Sequence, residues 1–139
     1  MWSERQDLAS VAVDPAEDLL RRLAVNDEKA LGMVLMRRVG DDRETELGPK
    51  VELLVRLAAL LSVGAATPSL REAVDQASAV GATPAEIVNV LVAVGPAVGL
   101  ASLVASAPKL ALAIGYDLEN GHGDEDQGHR GVRDPAPEQ

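Results

Sequence analysis

Residues 64–87 read GAATPSLREAVDQASAVGATPAEI, and the order of stops and starts within them decides the fold. Gly64 ends one helical run, and Thr67-Pro68 opens the next. Gly81 ends that run, and Thr83-Pro84-Ala85-Glu86 opens a third. Proline suits the first helical position because the N–H it lacks would have no partner there. Glu86 completes a capping box, in which the Thr83 hydroxyl and the carboxylate each satisfy an orphan backbone N–H. Thr67-Pro68 is a weaker start, since Leu70 stands where the Glu would be. Between the glycines, Leu70, Ala73, Val74 and Ala77 recur at i, i+3, i+4 and i+7. That spacing forms one apolar stripe of a helix, with Arg71, Glu72, Asp75 and Gln76 opposite. The segments VGAATP and VGATP need the same turn chemistry, so both read as helix–turn–helix joints.

The same signals extend outward. Asp14-Pro15-Ala16-Glu17 has the composition of a capping box and predicts a helix over about 15–24, with Leu19, Leu20 and Leu23 on one face. A second helix is expected over about 27–39, followed by a polar connection, Gly40 to Thr45. A long helix should run from about 49 to 63, the next over 68–80, and an apolar one over 84–95. One or two more should reach about 115, with Gly95-Pro96 and Pro108 kinking or dividing the region. No strand alternation occurs. The expected fold is all-α, a compact bundle of about six helices over residues 13–118. Residues 1–12 read as a flexible start. Residues 119–139, rich in Gly, Pro and acidic side chains, bury too little apolar area to order and read as a disordered tail.

Composition narrows the function classes. The chain has 139 residues, a net charge of −9 and no cysteine. Lack of Cys removes disulfides, thiol redox chemistry and thiolate metal sites together, and it fits a cytoplasmic protein. An acidic surface disfavours nucleic acid, which needs cations for phosphate. One Trp, one Tyr and no Phe leave almost nothing to stack on bases. The two histidines, His122 and His129, are seven apart in a Gly-rich acidic segment, which is poor preorganisation for a metal. No metal or cofactor is expected. Val90 to Pro108 carries no charge and approaches the ~20 residues that span a bilayer. Its Gly95-Pro96 and Gly99 interruptions, and the lack of a flanking basic cluster, favour a buried helix pair instead.

The stretch from Leu47 to about Tyr116 resembles the carboxymuconolactone decarboxylase and alkylhydroperoxidase D-type family. Pro49-Lys50, Gly64, Gly81 and Thr83-x-x-Glu86 match the family frame in order, with one residue more between Gly64 and Gly81 than the usual pattern, so that two registers are open, and Gly95-Pro96-Ala97-Val98-Gly99-Leu100 is similar to its small-residue segment. The resemblance implies a helical fold, a homo-oligomer of trimer or hexamer type, and a site built from a Glu, a Cys-x-x-Cys pair and a His. Here the Glu position falls on Leu53, with Glu52 beside it. Counted back from Gly81, the Cys positions fall on Ala66 and Ser69 and the His on Ala73. Counted forward from Gly64, they fall on Ala65, Pro68 and Glu72. The apolar stripe selects Ala73 over Glu72 as the buried position. Neither register supplies the thiolate that peroxide reduction needs or the imidazole suited to proton transfer.

The remaining candidates are few. Glu52 and Arg56 form an i, i+4 pair in the favourable order. They read either as a carboxylate and guanidinium facing a pocket or, with more weight, as a salt bridge on the helix surface or at a subunit interface. With Glu72 they are the candidates for an atypical acid–base site acting on a small organic acid. Ser62 and Ser69 have no His or Lys nearby in sequence. Whether the protein is an enzyme is left open. The readings are a non-redox oligomeric member of the family, an enzyme with a Glu/Arg site, and a binding module for a small apolar molecule or a protein. The uncharged stretch before Lys109 is apolar on nearly every face, so Val92, Val98, Leu103 and Val104 are expected under another subunit.

Overall fold

The computed structural model describes residues 12–38 and 46–119. Residues 1–11, the connection around 40–45, both histidines and the tail from 120 lie outside the described residues. Six α-helices make up the described structure, and no strand occurs among the described residues. The chain divides into two compact units, residues 1–43 and 44–139.

The first unit holds α1 (Pro15–Ala24) and α2 (Glu28–Leu35). Asp14 caps α1 by accepting from the Ala16 N–H at 3.2 Å. The expected capping box is incomplete, because Glu17 turns forward to Arg21 at 2.6 Å. Leu19 and Leu23 are half-buried, whereas Leu20 is 69% exposed and does not share their environment. Asn26 takes the left-handed conformation, φ 59°, between the helices. Asp27 then ties them together: its Oδ1 accepts from the Ala30 N–H at 2.8 Å and from Arg22 at 2.9 Å. Those bonds, the backbone one foremost, hold the Asp27 carboxyl below its ordinary pKa. Helix α2 ends at Leu35, short of the expected residue 39.

The second unit holds α3 (Gly48–Ser62), α4 (Thr67–Ala79), α5 (Pro84–Val98) and α6 (Leu100–Ile114). Helix α3 packs on α4 and α5, and α6 packs on the same two. The four therefore form a bundle with α3 and α6 at opposite corners. Its core is Leu53, Leu57 and Leu61 from α3, Leu70, Ala73, Val74 and Ala77 from α4, Ile87 and Leu91 from α5, and Leu110, Ala111 and Ala113 from α6. The α4 set is the expected stripe, residue for residue. Apolar burial of this kind is worth about 25 cal/mol per Å², and the alanines let helix axes approach closely.

The joints repeat one geometry. At the end of α3, the Ala65 N–H donates to the Leu60 carbonyl at 3.0 Å and Gly64 to Leu61 at 3.2 Å. At the end of α4, Ala82 donates to Ala77 and Gly81 to Ser78, both at 3.0 Å. These are Schellman closures, which need a left-handed residue at the turn. Gly64 and Gly81 supply it with φ of 69° and 92°.

The expected break at Gly95-Pro96 falls elsewhere. Helix α5 continues through Pro96 to Val98, and the chain turns at Gly99, φ 82° and ψ 172°, a conformation nearly confined to glycine. Pro108 likewise sits inside α6. Both prolines occupy exposed positions. The carbonyls four residues back, of Val92 and Val104, belong to exposed residues that water can serve. The uncharged run is thus folded as a helical hairpin, and no helix among the described residues is long and apolar enough to cross a membrane.

Candidate functional site

A groove of about 450 Å³ runs between α3 and α4. Leu53, Arg56, Ala59, Leu60 and Val63 line it from the α3 side, and Ser69, Glu72, Ala73 and Gln76 from α4. The α4 contribution is itself a helical stripe at i, i+3, i+4 and i+7. It lies one residue before the core stripe and shares Ala73 with it. Most of the lining is apolar; Leu53 and Ala73 are buried, whereas Ser69, Glu72 and Gln76 are exposed.

Three positions singled out by the family frame converge here. Leu53, Ser69 and Ala73, which the resemblance counted back from Gly81 would set at the Glu, second Cys and His positions, all line this one groove. Ala66, at the first Cys position, is exposed as the residue that precedes α4 and lies outside the lining. Ala73 is 8% exposed, so the wall is a buried methyl group. Glu72 also reaches the groove but is exposed.

Of the acid–base candidates, Arg56 and Glu72 share the groove, and Glu52 does not line it. Glu52 instead pairs with Arg56, Oε1 to guanidinium, at 3.0 Å. The Glu52 side chain is only 14% exposed and that of Arg56 39%. The pair is an ion pair along α3, with Arg56 but not Glu52 in the groove lining. Glu72 accepts a hydrogen bond from Gln76 Nε2 at 3.2 Å, which fixes its carboxylate along the outer edge of α4. Ser62 donates to the Ala58 carbonyl at 2.8 Å, within its own helix. Among the described residues no cluster of three or more acidic or imidazole side chains is placed to hold a metal ion.

Gln76 and Leu60 contribute to the groove without having stood out in the sequence. The signal for Gln76 was its spacing, four residues after Glu72. Only the pairing of α3 with α4 reveals Leu60.

A second charged pair lies outside the groove lining. Lys50 Nζ contacts Glu86 Oε1 at 2.6 Å, and Glu86 Oε2 accepts from the Thr83 N–H at 2.8 Å. The hydrogen bond from Lys50 first, and that from the Thr83 backbone next, hold the Glu86 carboxyl below its ordinary value. This arrangement fixes the start of α3 against the start of α5.

No family model, curated protein or solved structure matches the chain.

Proposed function

We propose that this chain is a cysteine-free, non-redox relative of the carboxymuconolactone decarboxylase and alkylhydroperoxidase D-type family that binds a small apolar molecule in the α3–α4 groove and works as a homo-oligomer. One observation carries the reading. Three of the four positions that the resemblance, counted back from Gly81, assigns to the reactive groups line a single groove, and apolar or neutral side chains occupy them: Leu53, Ser69 and Ala73. A concave, mostly apolar surface with a few polar groups at its edge is the usual form of a small-molecule site. Thiolate chemistry is excluded by composition, since the chain has no cysteine.

Calorimetric titration with 1-octanol tests the binding. The expected result is saturable binding at one site per chain, lost in Ser69→Trp, whose indole fills the groove from its exposed edge. Retention of the melting temperature in that variant shows that the loss is local. An unbound wild type, or equal binding by Ser69→Trp, overturns the reading.

Self-association is supported by the outer faces of α5 and α6. Val92, Leu100 and Val104 are 64%, 77% and 62% exposed, and Val98 and Leu103 are half-buried. Apolar area of this kind on two adjacent helices is a surface that a subunit contact covers.

A further inference from the structure

We infer that the α3–α4 groove selects a ligand whose apolar body ends in a cationic amine, recognised by Glu72. The inference rests on the groove being a ligand site, as proposed above, and adds the chemical class of the ligand.

Charge in the groove lining sets the ligand class. Two ionised side chains among the described residues line the groove, Arg56 and Glu72. The Arg56 guanidinium is already matched by Glu52, 3.0 Å away. That carboxylate is largely withdrawn from water, and drawing Arg56 off it toward an incoming anion would weaken a charge pair in a poorly hydrated place. Glu72 is in a different state. It is exposed, and its hydrogen bond comes from the neutral Gln76 amide, so its charge is not compensated there. The formal balance of Glu52, Arg56 and Glu72 is −1. The same groove is lined by Ala73 from α4 and by Leu53, Leu60 and Val63 from the α3 side. An aliphatic chain laid against those side chains lies in the groove that Glu72 also lines, within reach of its carboxylate. An ammonium is attracted there, whereas a carboxylate meets Glu72 and finds Arg56 engaged.

Three probes with the same chain separate the possibilities: octylammonium, 1-octanol and octanoate, titrated at 0.15 M salt. At that ionic strength fields from the rest of the acidic surface are screened beyond about 8 Å. Octylammonium is expected to bind roughly threefold tighter than octanol, the scale of an exposed ion pair, and octanoate more weakly than either. Glu72→Gln should bring octylammonium to parity with octanol. Asp75→Asn, on the same helix and outside the groove, should preserve the preference. Octanol binding with no preference for the ammonium overturns the inference and leaves the groove standing. Equal effects of Glu72→Gln and Asp75→Asn also overturn it, because the preference then belongs to the overall charge. Tightest binding by octanoate overturns it in favour of Arg56. Failure of all three probes removes the groove as a site along with the inference.

Discussion

The Lys50 ammonium and the Glu86 carboxylate meet at 2.6 Å, joining the first turn of α3 to the first turn of α5. Glu86 uses its other oxygen to close the capping box with Thr83. One side chain therefore performs a local task, satisfying a helix start, and a tertiary one, holding two helix starts together. The contact also brings together the Pro49-Lys50 and Thr83-x-x-Glu86 motifs, which stand far apart in the sequence.

This relationship makes stability depend on acid. The Glu86 carboxyl is held below its ordinary value of 4.5 in the folded chain. Its contribution is complete above about pH 4.5 and drains away as pH falls through the lowered folded value, because the unfolded chain takes up the proton first. Glu86→Gln should keep the box, since an amide oxygen can still accept from Thr83, but lose this acid-dependent component. Glu86→Ala should lose both and melt lower than Glu86→Gln. Thermal melts across pH 3–7 check the order. Identical pH profiles for wild type and Glu86→Gln would show that the ion pair contributes nothing.

Thr83→Ala tests the cap without touching a charge. The Thr83 hydroxyl accepts from the Glu86 N–H at 3.1 Å. Removing a cap oxygen of this kind costs about 1 kcal/mol. Urea denaturation should show a lower midpoint with an unchanged slope.

Helix boundaries were legible because Thr, Pro and Gly each act within one turn. The joints at Gly64 and Gly81 lie where the sequence places them for that reason. Gly95-Pro96 misled because a helix can continue through a proline whose stranded carbonyl is open to water. Position 96 faces outward, and Gly99 offers a better place to turn. The groove was legible only in part. Periodicity along α4 put Ala73 on the buried side, but whether that side meets solvent or another helix depends on how α3 crosses it. Glu52 and Arg56 show the same limit. Their spacing established that they touch, whereas the burial of Glu52 is a property of the packed bundle.

The Schellman glycines should be costly to replace for conformational reasons alone. At Gly64 and Gly81 an added methyl group would meet no atom within 4 Å, so sterics add nothing. What remains is the left-handed backbone, about 1–2 kcal/mol for an L-residue. Gly64→Ala and Gly81→Ala should each destabilise by about that amount in chemical denaturation. A much larger loss at either would mean that the joint touches something else.

Ala73 and Ala77 offer a contrast between groove and core. Both belong to the buried stripe of α4, but only Ala73 lines the groove. An imidazole at position 73 can project into the open space, and its cost should be about 1 kcal/mol. At position 77, where exposure is 0%, the same side chain overpacks and loses hydration, at about 3 kcal/mol. Denaturation midpoints should rank wild type above Ala73→His and Ala73→His above Ala77→His. Equal penalties would close the groove at position 73.

Assembly is the last expectation, and it follows from surface chemistry. Helices α5 and α6 carry no charged residue between Ile87 and Pro108. On their outer sides Val92, Leu100 and Val104 remain largely exposed after the bundle has packed. A chain with net charge −9 repels its own copies wherever acidic surfaces face each other. The uncharged α5–α6 surface is where two copies can approach at least electrostatic cost, and symmetric closure lets the same patch serve both. Light scattering at micromolar concentration should give a mass that is a multiple of 14.5 kDa. Val92→Asp and Val104→Asp should each shift it toward the monomer with helical circular dichroism retained, because a carboxylate in a buried contact is far costlier than one in water. A monomeric wild type would refute the assembly and weaken the family reading with it. An oligomer indifferent to both variants would place the contact on another face.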